Sequence, residues 1–487
     1  MSVLRGLAIN YMEKYGLMLV GFGSSIILAR FLSPDDTGIF SVGMFVISLA
    51  HTVRDLGVSS YIIQEKELTI DRLRSAQFVT LAMSWLMAIC LAVLSGPVSA
   101  YYAEPQVREI MLVLVINFIL LPFGSITMAL LKRNLEFGKL SSINVVSSIS
   151  QAVTSVTLAY YGHGAMSLAW GGVVGSSMSV ALSMLCRKPQ QPWLPGTGEL
   201  GRVLDKGVKF SGAGICYDIG QGAPELISAK LLSFHDAGLL SRGVGAVMLI
   251  QKLFVDAVYP VMLSHFAQVL RNQPQQFREK YLASCVNLAT LAWPVFGCFA
   301  VVSGDVILVL YGEAWADAAV LASILCIGAA VGGLSGIASS VLVGGGEAGI
   351  SFKLQLAVQS SRAVLALIGA GYGIAGVAAG MAVADVLGAF SFVIVVGRKY
   401  DVEVTRMVNA LVKPVCAAVV ITSLTLILRS SLMDISAFSR LVIIAVVVTA
   451  AWFALLPVVN RLLWDVLNKL GAALLAKVSA MVGMEKK

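Results

Sequence analysis

The residues of this chain with the most chemical capacity lie inside long apolar runs, and they fall at helical spacing. Between 207 and 232, Ser211, Gly214, Asp218, Gln221, Glu225 and Ser228 recur at steps of three or four. They form one polar stripe on an otherwise apolar helix. Between 237 and 268, Arg242, Gly245, Leu249, Lys252 and Asp256 share a face, with Lys252 and Asp256 one turn apart. Asn144, Ser148, Gln151 and Ser155 make a stripe within 140–161, and Gln355, Gln359 and Arg362 align within 351–371. His51, Arg54 and Asp55 sit near the end of a run over 38–62. An Arg fork matches the oxygens of an anion, so Arg54, Arg242, Lys252 and Arg362 are candidates to hold an anionic head group. Asn144, Gln151, Gln221 and Gln359 offer amide partners for the hydroxyls of a polar ligand. Asp218, Glu225 and Asp256 are acids suited to a coupling proton or sodium ion.

Each group also has a structural alternative. Lys252 and Asp256 can neutralise each other, Arg54 can reach for lipid head groups beside Asp55, and Arg242 can snorkel. Ser and Gly stripes pack helices closely. An ionisable group near a bilayer centre costs about 2.5–3.5 kcal/mol, so it turns to a wet cavity or a partner. The Asp218/Glu225 stripe and Arg362 are the hardest to assign to packing alone.

The elements that position these residues follow from composition. Of 487 residues, 58% are hydrophobic and 13% charged, whereas soluble proteins carry about 25% charged residues. The surplus apolar surface requires a bilayer. At about 20 residues per span, fourteen helices are expected, over 8–32, 38–62, 75–101, 106–131, 140–161, 164–186, 207–232, 237–268, 278–310, 317–343, 351–371, 374–397, 408–428 and 438–458. The fold class is therefore an all-α integral membrane protein. Residues 1–21 read as an uncleaved first span. The stretch from 460 to 487 reads as an amphipathic helix on the membrane surface. The seven Cys are scattered through apolar segments and the four His are dispersed, so neither a metal site nor another cofactor is expected.

The net charge of +8 is a topology signal rather than a nucleic-acid footprint. Alternate connections hold Lys66/Arg72/Arg74, Lys132/Arg133/Lys139, Arg187/Lys188/Arg202/Lys206/Lys209, Arg271/Arg278/Lys280, Lys353 and Arg398/Lys399/Arg406. The intervening connections are short and nearly free of Lys and Arg. The asymmetry places both termini in the cytoplasm.

An internal repeat is visible. Residues 27–43 align without a gap on 227–243, with eight of seventeen positions identical. Ser95–Val98 resembles Ser303–Val306, and Leu131–Gly138 echoes Leu342–Gly349. Two six-helix lobes in the same orientation imply a pseudo-two-fold axis along the membrane normal, with two extra C-terminal helices. The expected organisation is a lobe over 1–186, a cytoplasmic linker over 187–206, a second lobe over 207–399, two further spans over 400–459 and a tail over 460–487. Prolines 122, 224, 260 and 294 are expected to interrupt helices. Gly196–Gly201 fits GxGxxG but lies in a Pro-rich loop with no preceding strand, and the chain has no P-loop, so direct ATP hydrolysis is not expected.

Leu28–Phe40 (LARFLSPDDTGIF), Asp55–Gln64 (DLGVSSYIIQ) and Leu131–Gly138 (LKRNLEFG) resemble the polysaccharide transporter family of the multidrug/oligosaccharidyl-lipid/polysaccharide exporter superfamily. The resemblance implies a flippase of the bacterial inner membrane, moving undecaprenyl-diphosphate-linked oligosaccharide units outward for exopolysaccharide, capsule or O-antigen assembly. It implies alternating access, membrane lipid and lipid-linked substrate as partners, H+ or Na+ as coupling ion, and a polysaccharide polymerase downstream. An exporter of small cationic drugs is the alternative within the superfamily. A membrane-embedded glycosyltransferase, ligase or polymerase is disfavoured, because every outer connection is short, and no enzymatic activity is expected.

Overall fold

The computed structural model describes residues 3–461 apart from 56, 189, 190, 193 and 257, together with 463–465 and 468; side chains of 3–12 and 202–216 fall outside the description. The amphipathic tail expected over 460–487 therefore lies almost wholly outside the described residues, as do the side chains of Ser211 and Gly214.

Every regular element among the described residues is helical. The α-helices are α1 (Val3–Leu28), α2 (Pro34–Asp55), α3 (Val58–Gln64), α4 (Ile70–Tyr102), α5 (Pro105–Leu120), α6 (Pro122–Arg133), α7 (Phe137–Tyr160), α8 (Met166–Leu185), α9 (Leu200–Leu231), α10 (Phe234–Phe254), α11 (Tyr259–Asn272), α12 (Phe277–Tyr311), α13 (Ala318–Gly344), α14 (Ala348–Ala370), α15 (Gly373–Tyr400), α16 (Val404–Ser431) and α17 (Ala437–Val459). By length and composition, nine described helical segments are apolar enough to cross a membrane, or ten if α5 and α6 count as one bent span. The other four expected spans coincide with α1, α7, α9 and α14. In α7 and α14 the Asn, Gln, Ser and Arg stripes dilute the apolar run.

Three expected spans are broken. The run over 38–62 divides after Asp55, and Gly57 caps α3 at φ 62°, a left-handed conformation glycine adopts without strain. The run over 106–131 bends by 56° between α5 and α6, where Pro122 cannot donate a helical N–H. The run over 237–268 divides between Phe254 and Tyr259, with Pro260 in the first turn of α11. Pro224 and Pro294 instead lie inside the continuous helices α9 and α12. Of the four expected interruptions, only those at Pro122 and Pro260 are breaks.

The chain packs as two compact units. One comprises Met1–Ser241, Leu310–Trp315 and Ala366–Val377, and the other Arg242–Val309, Ala316–Leu365 and Ala378–Lys487. The first has a core of Val42, Ile47, Ile110, Met111, Phe118 and Ala169, contributed by α2, α5 and α8. Gly171 and Gly175 of α8 lie against Ser155 and Gln151 of α7: a Cβ on Gly171 would stand 1.8 Å from Ser155 Oγ. This half of the α7 stripe is thus a close-packing surface. In the second unit, Asp305 of α12 is buried and receives Arg429 Nε of α16 at 3.0 Å and Arg440 Nη2 of α17 at 2.5 Å. These ion pairs bind the two C-terminal helices to α12.

The repeat is written into local geometry. Glu136 N bonds Leu131 O and Leu135 N bonds Lys132 O at the end of α6; Glu347 N bonds Leu342 O and Gly346 N bonds Val343 O at the end of α13. Both are Schellman closures with a left-handed residue, Leu135 or Gly346. The glutamate that follows takes a lysine 52 positions on in each case: Lys188 on Glu136 and Lys399 on Glu347, both at 2.6 Å.

Candidate functional site: a cationic helix break

In the first unit, α2 and α9 pack closely because Gly222 gives room to an aromatic ring: a Cβ there would stand 1.9 Å from Phe45. That approach sets Thr52 of α2 against Asp218 of α9, with Thr52 Oγ1 donating to Asp218 Oδ2 at 2.5 Å. One residue earlier, His51 stacks on Phe118 of α5, with ring centroids 4.4 Å apart. Arg54 follows in the last turn of α2, where a cation complements the helix dipole. Its neighbour Asp55 accepts from Ser59 Oγ at 3.2 Å. Arg54 Nη1 is buried and has no hydrogen-bond partner among the described residues. A buried, charged donor left unmet is costly. Phosphate oxygens are acceptors of the right charge and geometry.

The rest of the α9 stripe is graded. Asp218, Gln221 and Glu225 are part-buried. Glu225 engages a neighbouring group, and Ser228 closes onto Pro224 O within its own helix at 2.8 Å.

The second unit holds the other cationic candidates. Arg242 is part-buried and engaged by a neighbouring group. Lys252 is exposed in the last turn of α10, and Asp256 lies in the break that follows. Among the described residues no ion pair joins Lys252 to Asp256, so their mutual neutralisation is not realised. Two of the three broken spans share a pattern: each breaks after a turn carrying a cation, Arg54 or Lys252, with an acid just beyond it.

Arg362 of α14 has a partner that sequence analysis missed. Its Nη1 lies 3.3 Å from Asp385 Oδ1 on α15, with the two side chains 11% and 22% exposed. Asp385 is the sole acid of its span and belongs to no polar stripe, so periodicity does not flag it. Its ionisable character within an apolar run was the available signal. Gln359, one turn before Arg362, is buried with Oε1 unpaired among the described residues. Asn144 donates to Glu13 Oε1 of α1 at 2.6 Å, and Gln151 remains exposed along the edge of α8. The structure thus gathers His51, Thr52, Arg54 and Asp218 in one place and Gln359, Arg362 and Asp385 in another, while Asn144 turns to α1.

A family described as polysaccharide biosynthesis protein matches residues 27–320, more than half of the chain. The chain belongs to this family. It is similar to the lipopolysaccharide biosynthesis protein WzxC of Escherichia coli (strain K12), 21% identical over 70% of each chain. It is also similar to the succinoglycan biosynthesis transport protein ExoT of Rhizobium meliloti, 26% identical over 65% of this chain and 64% of that one. Of solved structures, the lipid II flippase MurJ in an inward closed conformation superposes with a TM-score of 0.78 at 13% identity, over 93% of this chain and 98% of that one. An inward-facing multidrug MATE transporter of the MOP superfamily superposes at 0.64 and 12% identity, over 79% and 94%. The chain shares its fold with these two solved structures, and the protein is a multi-pass membrane protein of polysaccharide biosynthesis.

Proposed function

We propose that this protein is a flippase that carries undecaprenyl-diphosphate-linked oligosaccharide units across the bacterial inner membrane for surface-polysaccharide assembly. It is a transporter rather than an enzyme. The observation that carries the reading is Arg54: a guanidinium at the broken end of a membrane helix, with Nη1 buried and unmet among the described residues. Broken spans mark substrate sites in transporters, because freed backbone and helix ends then line a cavity. A diphosphate supplies an acceptor for Arg54 Nη1, and Lys252 gives another broken span a cation of its own. Arg242 contributes further positive charge. Sugar residues fall to Gln221, Gln151, Asn144 and Gln359.

The relatives' names support the same reading: one is a lipopolysaccharide biosynthesis protein, one a succinoglycan biosynthesis transport protein, and the fold neighbour a lipid II flippase. The basic connections favour both termini in the cytoplasm, and the duplication suits alternating access between two lobes, 1–186 and 207–399. Asp218, held by Thr52, is the first candidate for a coupling proton or sodium ion, followed by Glu225 and Asp256. A polymerase that consumes the flipped unit is the expected downstream partner.

The test is to delete the gene and follow lipid-linked oligosaccharide and finished polymer with labelled sugar. Loss of polymer with repeat units accumulating on the cytoplasmic leaflet is expected. Unchanged polymer and lipid-linked pools, with new sensitivity to cationic drugs, would replace this reading with the drug-exporter one.

A further inference from the structure

The duplicated segment that begins α2 and α10 does more than record ancestry. Both helices open with the same Ser-x-x-Asp cap. Ser33 Oγ donates to Asp36 Oδ2 at 2.7 Å and receives Asp36 N at 3.1 Å. Ser233 Oγ donates to Asp236 Oδ2 at 2.6 Å and receives Asp236 N at 3.0 Å. Reciprocal bonds of this kind fix a helix's first turn. The two fixed turns then cross. A Cβ on Gly38 would stand 1.9 Å from Phe234 O, and a Cβ on Gly238 would stand 1.9 Å from Pro34 O. Backbone meets backbone at equivalent positions of the repeat, with no side chain between. Asp36 also accepts Ala165 N at 3.1 Å, which ties the α2 side of the crossing to the turn before α8. Across the crossing, the residues between cap and glycine pair: His235 Nδ1 lies 3.1 Å from Asp35 Oδ2, with both side chains exposed.

We infer that this crossing is a gate at the outer end of the helix bundle, sealed by Gly38 and Gly238 and latched by Asp35 and His235. The outer location rests on the proposed topology. The seal needs glycine at both positions, because only glycine lets a helix backbone approach another's carbonyl this closely. The latch suits a part that must open. An exposed His–Asp contact contributes little, and backbone contacts of the Cα–H···O type are individually weak. The rigid caps mean that opening separates two preformed helix ends rather than unwinding them. Asp36 and Asp236 are engaged in capping, which leaves Asp35 and His235 to make the pair across the crossing.

The test uses Ser41, one turn inside the crossing on α2, replaced by Cys in an otherwise cysteine-free protein in intact cells. A membrane-impermeant maleimide added outside reports access. Gly38→Val, which forces the helices apart, and Asp35→Ala with His235→Ala, which removes the latch without adding bulk, are each expected to speed labelling several-fold. A disulfide made by oxidising Asp35→Cys with His235→Cys is expected to hold labelling at position 41, read on its own peptide, at or below the parent rate, and reductant to release it. Unchanged labelling in both the wedge and the latch variants, at normal membrane abundance, overturns the gate. So does an oxidised pair that labels as fast as the latch variant. Because maleimide access needs no substrate, this result stands apart from the flippase reading, which the deletion experiment decides.

Discussion

Replacing Arg362 separates a binding role from a structural one. Arg362 and Asp385 form one largely buried ion pair at 3.3 Å between α14 and α15. Removing either partner strands the other charge in a poorly solvated site, which typically costs about 3–5 kcal/mol. Removing both and filling the space with apolar side chains is close to neutral. Arg362→Leu and Asp385→Leu should therefore each destabilise by about 3–5 kcal/mol, and the double variant should return to within ~1 kcal/mol of the parent. The assay is reversible SDS unfolding of purified protein in mixed micelles, read by tryptophan fluorescence for all four species. The double variant also carries functional information. If it folds and supports polysaccharide output, Arg362 positions α14 against α15; if it folds but output is lost, the pair belongs to the transport machinery. A double variant no more stable than either single one would refute the reasoning, since the charges would then not compensate each other.

Three further outcomes follow from the same physics. Arg54→Gln should lose a charge-assisted contact of about 1.5–3 kcal/mol to phosphate, roughly 10- to 150-fold in affinity, and Arg54→Lys should recover part of it; competition by soluble polyprenyl-diphosphate analogues measures both. Asp305→Asn should destabilise by about 3–5 kcal/mol, because Arg440 is buried, and should expose the connection between α16 and α17 to protease. Hydrogen bonds from Lys139 and then Lys188 hold the Glu136 carboxyl down to about 2 from its ordinary 4.5. A depressed carboxyl stabilises the fold above its unfolded value and loses that contribution as pH falls through the folded value. The stability difference between the parent and Glu136→Gln should therefore be constant above about pH 4.5 and vanish toward pH 2; unfolding curves across that range check it.

The membrane helices and the duplication were legible in the sequence, because apolar run length and a gap-free 200-residue offset are local properties. Even the faint echo between Leu131–Gly138 and Leu342–Gly349 marks a shared Schellman closure with a glutamate–lysine tie. Which helices break was only partly legible: Pro122 and Pro260 look no different in sequence from Pro224 and Pro294, and tertiary packing decides. The polar stripes were legible as faces of single helices. Their partners on other helices were not, because periodicity carries no information about what a face meets. Thr52 for Asp218, Glu13 for Asn144 and Asp385 for Arg362 all come from neighbouring elements. Arg54 differs in that the structure brings its Nη1 no partner among the described residues.

The central claim is met most directly in proteoliposomes holding purified protein and undecaprenyl-diphosphate-linked oligosaccharide with a labelled sugar. Under an imposed proton or sodium gradient, the account predicts that the fraction of sugar crossing to the opposite leaflet, read by an added impermeant sugar-modifying enzyme, rises with the parent protein and stays at the protein-free level with Arg54→Gln. Sugar that remains on its starting leaflet with the folded parent protein under both gradients would contradict it.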